Sequence, residues 1–189
     1  MLLETLRCEE GIPLHLPYHQ QRMERSLRAL GSECRYRLEA LIAPPAEGIY
    51  RCRVLYDAES IRIEYHPYVP RVISSLKIIR ADDLDYRLKY ADRSRLNELF
   101  EQRGECDDVL IVRNGFLTDT TIANVALRIG GRWLTPEAPL LEGTTRARLI
   151  KEGFVTPAPL RLDDIAKSDK TALMNVMMGF VEVENGIIS

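Results

Sequence analysis

The sequence is poor in lysine. Its 26 basic residues comprise 21 arginines and only five lysines, namely Lys77, Lys89, Lys151, Lys167 and Lys170. A guanidinium does not lose its proton at usable pH, so arginine cannot replace a lysine whose amine must act as a nucleophile. Any chemistry that depends on a lysine amine therefore has five candidates.

Long apolar runs are also absent, and so is a secretory leader pattern. No stretch approaches the ~20 apolar residues that span a bilayer. The first residues, Met1 to Cys8, include Glu4 and Arg7 and lack the pattern of a signal peptide. The four cysteines, Cys8, Cys34, Cys52 and Cys106, form no CxxC pair. These absences favour a cytoplasmic protein with reduced thiols, no membrane partner and no metal site.

The charge balance excludes another class. The formal net charge is -2, and the basic residues are scattered without a dense run. Non-specific nucleic-acid binding rests on phosphate neutralisation, so we expect no nucleic-acid partner. The composition, 46% hydrophobic and 29% charged, is that of a globular chain.

Hairpin signals dominate the pattern along the chain. Asn114-Gly115 between two apolar runs is a strong example, and a helix of about 13 residues is predicted to end at Gly31. Strands and helices do not alternate strictly. The pattern therefore predicts an α+β fold with mostly antiparallel sheets. We expect an N-terminal α+β domain over residues 1–80, a linker over 81–88, and a larger C-terminal α+β domain over 89–189.

Lys89 differs from the other lysines in its surroundings. It lies between Leu88 and Tyr90, next to the predicted linker. Apolar neighbours can desolvate an amine, which lowers its pKa and makes it nucleophilic. The alternative is an ordinary exposed lysine.

Three further segments carry candidate residues, each with a purely structural alternative. Asp119 and Asn124 lie between apolar strands, where they could simply bond nearby backbone. Gly143-Thr144-Thr145 at a predicted helix start suits a phosphate, but an ordinary N-cap would look the same. His19 and Arg22 lie three apart on the first helix, and Arg22 could bind a phosphate or be solvated.

Taken in order, these segments resemble the class IV aminotransferase family, the fold-type IV pyridoxal-phosphate enzymes. The resemblance runs from about Leu2 to Val183. It implies a two-domain fold like that of D-amino acid aminotransferase, with flanking helices, an N-terminally shortened chain, pyridoxal 5'-phosphate as cofactor, and a homodimer.

The resemblance also implies roles for individual residues. Lys89 matches the lysine that holds the cofactor as a Schiff base and shuttles protons. Asp119 matches a glutamate that pairs with the pyridinium nitrogen, and Asn124 an asparagine beside the ring. Gly143, Thr144 and Thr145 match the loop that binds the cofactor phosphate together with Arg22, while His19 matches a histidine that accompanies this arginine.

Some positions depart from the family pattern. Asp119 is one methylene shorter than the usual glutamate, and Val176 lacks the hydroxyl that usually follows the matching asparagine. The resemblance does not identify the residues that bind substrate carboxylates. Arg93, Arg95 and Arg113 are candidates because a guanidinium suits a carboxylate.

The run Lys89-Tyr90-Ala91-Asp92-Arg93 is similar to that of aminodeoxychorismate lyase. The resemblance thus implies conversion of 4-amino-4-deoxychorismate to 4-aminobenzoate and pyruvate, a step of folate biosynthesis. Two alternatives stay open: transamination of branched-chain or D-amino acids, and a degenerate homologue that binds the cofactor without turnover.

Overall fold

The structure is a computed structural model, and it describes residues 1–184 and 186–188. The chain forms two compact units. The first comprises Met1–Pro70 together with Leu88–Asp92. The second comprises Arg71–Arg87 and the residues from Arg93 onward.

The first unit is a four-stranded antiparallel sheet with a helix on one face. Its elements are β1 (Leu2–Glu9), β2 (Ile12–Pro13), α1 (Leu16–Ala29), α2 (Leu38–Leu41), β3 (Ile49–Tyr56) and β4 (Ile61–Pro67). The strand order is β2-β1-β3-β4. Apolar side chains of the three longer strands pack under α1, including Leu2, Leu6, Val54 and Tyr56.

Helix α1 confirms the predicted first helix and shows an unusual buried face. The chain leaves it through Gly31, whose φ of 76° is one that glycine adopts without steric cost. Its buried positions recur at the spacing of one helical face: His19, Arg22, Met23, Ser26 and Leu27. Two of them are ionisable, which marks this face as more than a packing surface.

The second unit contains the remaining α-helices and strands: β5 (Leu76–Arg80), α3 (Ser94–Phe100), β6 (Asp108–Arg113), β7 (Phe116–Thr120), β8 (Asn124–Ile129), β9 (Arg132–Pro136), α4 (Thr144–Lys151), β10 (Thr156–Ala158), β11 (Lys170–Asn175), β12 (Gly179–Glu182) and β13 (Ile187–Ile188). It also contains two short 3-10 helices, Glu101–Arg103 and Leu162–Lys167. One path of strands runs β10-β9-β8-β7-β6-β5-β13, and β11 joins β8 and β12. Most neighbours are antiparallel; the pairs β5–β6, β5–β13 and β9–β10 are parallel. The predicted α+β class with mostly antiparallel sheets is confirmed.

The turn between β6 and β7 has the conformation that its Asn-Gly sequence predicts. Asn114 and Gly115 have φ of 51° and 78°. A two-residue turn between twisted strands needs positive φ at both positions, which Asn-Gly tolerates well. The hairpin places β7, and with it Asp119, in the middle of the sheet.

The boundary between the units differs from the predicted linker over 81–88. Ala81, Leu84 and Tyr86 are buried, and the Ala81 amide donates to the Val112 carbonyl oxygen at 3.0 Å. This stretch therefore belongs to the second unit, although its polar composition resembles a linker. Within the described ranges, no helix combines the length and the apolar character needed to cross a bilayer.

Candidate functional site

In the first unit, Lys89 is held by backbone hydrogen bonds to β1. The Leu3 amide donates to the Lys89 carbonyl oxygen at 2.8 Å, and the Ala91 amide donates to that of Met1 at 3.2 Å. Leu88 and Tyr90 pack against the core under α1. Lys89 was predicted to begin the C-terminal domain, whereas these contacts attach it to the first unit.

A buried ionic cluster lies between β1 and α1. Arg22 donates from Nε to Glu4 Oε1 at 2.8 Å and from Nη2 to Oε2 at 2.6 Å. Nδ1 of His19 lies 2.8 Å from Glu4 Oε2. The Glu4 and His19 side chains are 0% exposed and that of Arg22 is 7% exposed. We refer to Glu4, His19 and Arg22 as the buried ionic cluster.

The electrostatics of this cluster fix the protonation of its members. Burial alone would raise the pKa of Glu4, but the Arg22 charge and the hydrogen bonds from His19 and Arg22 lower it to about 2. Burial lowers the pKa of His19 despite the neighbouring Glu4. A neutral His19 donates through Nδ1–H to Glu4, because an ionised carboxylate only accepts. Its Nε2 is then an acceptor, and it has no hydrogen-bond partner among the residues that the structure describes.

In the second unit, Asp119 lies at the end of β7 with both carboxylate oxygens engaged. Asn124 Nδ2 donates to Oδ1 at 2.7 Å, and the Leu141 amide donates to Oδ2 at 2.8 Å. The same Asn124 nitrogen donates to the Leu141 carbonyl oxygen at 2.8 Å. Asn124 is therefore a positioning residue for Asp119.

The environment of Asp119 leaves its charge poorly compensated. Burial raises the pKa of Asp119 to about 7, although the hydrogen bonds from Leu141 and Asn124 and the more distant charge of Arg146 act to lower it. Over residues 1–184 and 186–188, Asp119 forms no ion pair within 4.0 Å. A cationic N–H donor would stabilise the ionised form here.

Gly143 is required by the position of Asn124. A Cβ built on Gly143 would collide with Oδ1 of Asn124. The backbone of Gly143 has φ −67° and ψ 145°, an extended conformation that any residue can adopt, so the need for glycine comes from this close approach. Gly143 thus supports the hydrogen bonds that hold Asp119.

Thr144 and Thr145 begin helix α4, as predicted. Both are buried, and the N-cap residue Gly143 supplies no side-chain hydrogen bond. Arg146 follows them, also buried, and donates from Nη2 to the Pro136 carbonyl oxygen at 2.7 Å. The helix start therefore combines backbone N–H groups with two hydroxyls, which suits an anion.

The three arginines suggested for substrate carboxylates have different surroundings. Arg93 donates to the Thr121 carbonyl oxygen at 2.8 Å, in the loop that follows Asp119. Exposed Arg95 pairs with Asp83 and Glu98 at 2.8 and 2.7 Å. Arg113 donates to the Asp82 carbonyl oxygen at 3.3 Å, and it too is exposed. Arg95 and Arg113 are thus engaged on the surface of the second unit.

Sequence reasoning missed Glu4 and the Leu141 amide. A signal for Glu4 was present, since it occupies the same alternating face of β1 as Leu2 and Leu6. No sequence pattern could have indicated Leu141, because its contribution is a backbone N–H placed by a loop. Val176 follows Asn175, whose Oδ1 accepts the amides of Met177 and Met178 at 2.9 Å, so this segment is a turn.

The donor set fits pyridoxal phosphate. Among the described residues, buried Asp119 has no cationic N–H group as an ion-pair partner, and the protonated ring nitrogen of the cofactor would provide one. In the same unit, the start of α4 offers backbone N–H groups and two hydroxyls that suit an anion such as the cofactor phosphate. Each of these observations concerns one unit by itself.

Comparisons with known proteins agree with this fit. The family described as amino-transferase class IV matches residues 1–185. A Haemophilus influenzae protein described only as uncharacterized is 38% identical over 184 residues, covering 94% of this chain and 98% of that protein.

Two solved structures share the fold. One, a “putative 4-amino-4-deoxychorismate lyase” from Haemophilus somnus 129pt, has a TM-score of 0.86 and 34% identity, and the match covers 94% of this chain and 96% of that one. The other, a “putative amino-acid aminotransferase” from Mesorhizobium loti, has a TM-score of 0.83 at 23% identity, with 99% of each chain covered, and it supports the fold alone. With a family match over nearly its whole length, the chain belongs to the class IV aminotransferase family.

Proposed function

We propose that the protein is a pyridoxal-phosphate-dependent lyase that converts 4-amino-4-deoxychorismate to 4-aminobenzoate and pyruvate. The observation that carries the proposal is the state of buried Asp119. Burial raises its pKa to about 7, and hydrogen bonds from Asn124 and Leu141 hold its two carboxylate oxygens in place. A carboxylate in this state suits the protonated ring nitrogen of the cofactor. Membership of the class IV family supports the same cofactor.

In the proposed reaction, residues of this chain would have the following roles. Asp119 would accept the ring N–H and keep that nitrogen protonated. Lys89 would hold the cofactor through Nζ and, once displaced by the substrate amine, move a proton with that nitrogen. Thr144 and Thr145 would hold the phosphate, and Arg22, which Glu4 orients through two hydrogen bonds, would add its positive charge. When bound, the cofactor supplies an electron sink for the bonds that change at the substrate carbon.

Two observations favour the lyase over a transaminase. The run from Lys89 to Arg93 is similar to that of aminodeoxychorismate lyases. In addition, the Haemophilus somnus relative with 34% identity has that description. Both reactions use the same lysine and the same acidic partner, so the residues around Asp119 do not distinguish them.

The first experiment tests the cofactor and its attachment. Purified protein mixed with pyridoxal phosphate should develop the visible absorption of a lysine–cofactor adduct. Borohydride reduction and peptide mapping should then place the label on Lys89, and Lys89→Ala should take up none. Label on Lys77, or no visible absorption at all, would contradict the proposal.

The second experiment distinguishes the reactions. The loaded protein should release pyruvate from 4-amino-4-deoxychorismate without any keto-acid acceptor. Strict dependence on 2-oxoglutarate would identify a transaminase instead. Cofactor attachment without either turnover would identify a binding homologue.

A further inference from the structure

A turn of four residues, 120–123, connects Asp119 to Asn124, and we name it the 120–123 turn. Asp119 and Asn124 are paired at the base of this turn, in the ladder of β7 and β8, and Asn124 Nδ2 donates to Asp119 Oδ1. Within the turn, the Thr120 amide donates to the Ala123 carbonyl oxygen at 2.8 Å, and Thr120 Oγ1 accepts the Ala123 amide at 3.1 Å. The conformation of the turn therefore affects the place of Asp119.

The sheet is irregular where it contains Asp119. Leu110 pairs with Thr120 across β6 and β7, but the next pair is Val112 with Leu117. Between these pairs β6 has one residue and β7 has two, and one of those two is Asp119. Such a bulge bends the strand and changes the direction of its side chains. The regular ladder therefore does not fix Asp119 against β6, and other contacts must do so.

Three residues from distant parts of the second unit hold the tip of the 120–123 turn. Thr121 Oγ1 donates to Asp108 Oδ1 at 2.8 Å, and Arg93 Nη2 donates to the Thr121 carbonyl oxygen, also at 2.8 Å. Asn175 Nδ2 donates to the Ile122 carbonyl oxygen at 3.1 Å. Thr121 is thus fixed through both its side chain and its backbone.

Asp108 is unfavourably placed for stability. It is 1% exposed, and in the part of the chain that the structure describes it forms no ion pair. Oδ1 accepts the Val109 amide and the Thr121 hydroxyl, both at 2.8 Å, while Oδ2 has no hydrogen-bond partner among the described residues. Burial raises the pKa of this carboxyl. Because an unsatisfied buried carboxyl oxygen costs folding free energy, the bond to Thr121 indicates a role other than stability.

The bond from Thr121 to Asp108 does not depend on the protonation of the acid. Oδ1 already accepts two hydrogen bonds, so a proton on Asp108 would reside on Oδ2. In both forms the turn stays attached to Asp108, the first residue of β6. This attachment lies beside the bulge that contains Asp119, and it supplies the fixation that the ladder lacks there.

We propose that Asp108 and Thr121 are positioning residues that hold the carboxylate of Asp119 in place. The proposal rests on the proposed function, in which that carboxylate accepts the ring N–H of the cofactor. Asn124 and Leu141 bond to the carboxylate oxygens themselves. The bond from Thr121 to Asp108 instead fixes the backbone that follows Asp119.

Amide hydrogen exchange of the cofactor-free full chain reports whether Asp119 stays in place. The Leu141 amide donates to Asp119 Oδ2, so it should exchange slowly while that bond persists. Thr121→Val removes the hydroxyl at nearly constant shape and should speed Leu141 exchange by about tenfold, the effect of one buried hydrogen bond to a carboxylate. Thr121→Ser keeps a hydroxyl and should restore most of the protection.

Thr135→Val is the matched control. Thr135 is 0% exposed, and its hydroxyl donates to the Val125 carbonyl oxygen at 2.8 Å, in the strands instead of the turn. Leu141 exchange in this variant should change by no more than the change in the free energy of unfolding accounts for. Asp108→Ala should match Thr121→Val, and the double variant should add nothing, because both changes remove the same bond. If Asp108→Ala does not fold, the two Thr121 variants still decide the outcome.

A second measurement links the turn to the ring nitrogen of the cofactor. Wild-type protein should bind pyridoxal phosphate about tenfold more tightly than its 1-deaza analogue, in which a C–H group replaces the ring nitrogen, because a C–H group cannot donate a charge-assisted hydrogen bond to Asp119. Thr121→Val should reduce this preference, whereas Thr121→Ser and Thr135→Val should keep it.

Unchanged Leu141 exchange in Thr121→Val would overturn the positioning role, while cofactor attachment at Lys89 would still uphold the proposed function. Equal weakening of both ligands would also overturn it, since a defect that is only structural has that effect. If the wild type bound neither ligand but Leu141 exchange still depended on Thr121, the positioning role would stand and the proposed enzyme would not.

Discussion

Replacing Glu4 by glutamine should unbalance the buried ionic cluster. Glu4→Gln keeps the shape of the side chain and removes its charge, which leaves the Arg22 guanidinium buried without its anion. Removing one partner of a buried pair typically costs 3–5 kcal/mol, roughly, because the remaining charge is uncompensated. We therefore expect the free energy of unfolding at pH 7 to fall by about that amount.

The pH dependence gives the sharper measurement. The pKa of Glu4 is lowered from 4.5 to about 2 in the folded state, so its ionisation stabilises the fold above the unfolded pKa. This difference corresponds to about 3 kcal/mol, of which about 2 kcal/mol should be lost on going from pH 7 to pH 3. The variant cannot lose this contribution, so the stability gap between wild type and variant should narrow as the pH falls.

Urea unfolding of the cofactor-free proteins at several pH values measures this gap. Glu24→Gln is the control, because Glu24 pairs with Arg37 at 3.0 Å while the Arg37 side chain is 69% exposed. An exposed pair of this kind contributes at most about 1 kcal/mol. A gap for Glu4→Gln that stayed constant between pH 7 and pH 3 would refute the reasoning.

Three other perturbations test the second unit. Since burial raises the pKa of Asp119 to about 7, the cofactor-free wild type should lose stability relative to Asp119→Asn as the pH rises from 4 to 7, and parallel urea curves would show it. Gly143→Ala should displace Asn124, because its Cβ would collide with Oδ1 of that residue, and should weaken pyridoxal-phosphate binding at least tenfold in a spectroscopic titration. Unchanged affinity would contradict this reasoning. Gly115→Ala should lower the free energy of unfolding by about 1 kcal/mol because of the positive φ, with cofactor binding intact.

The sequence allowed prediction of the features that depend on local chemistry. The turn at Asn114-Gly115 requires positive φ at two adjacent residues, and Gly31 ends a helix. Both features can be predicted from neighbouring residues alone. The segments with Asp119 and Gly143 were found through their resemblance to a family. The predicted homodimer and cytoplasmic location stay predictions.

Features that depend on distant contacts could not be predicted in the same way. The polar stretch after Arg80 resembles a linker, yet Leu84 and Tyr86 are buried and the Ala81 amide bonds to the distant Val112 carbonyl oxygen. The buried ionic cluster depends on which strands pair and in what register. A shift of one residue would have sent Glu4 to the opposite face.

The bond between the Leu3 amide and the Lys89 carbonyl oxygen also has a consequence for folding. It joins positions 3 and 89, so the lysine reaches its place only after a long-range closure of the chain. Closures of this kind cost loop entropy and slow folding. A nascent chain can therefore place Lys89 beside its first strand only after residue 89 has been synthesised, and under the proposed function the rate of cofactor attachment would measure this step.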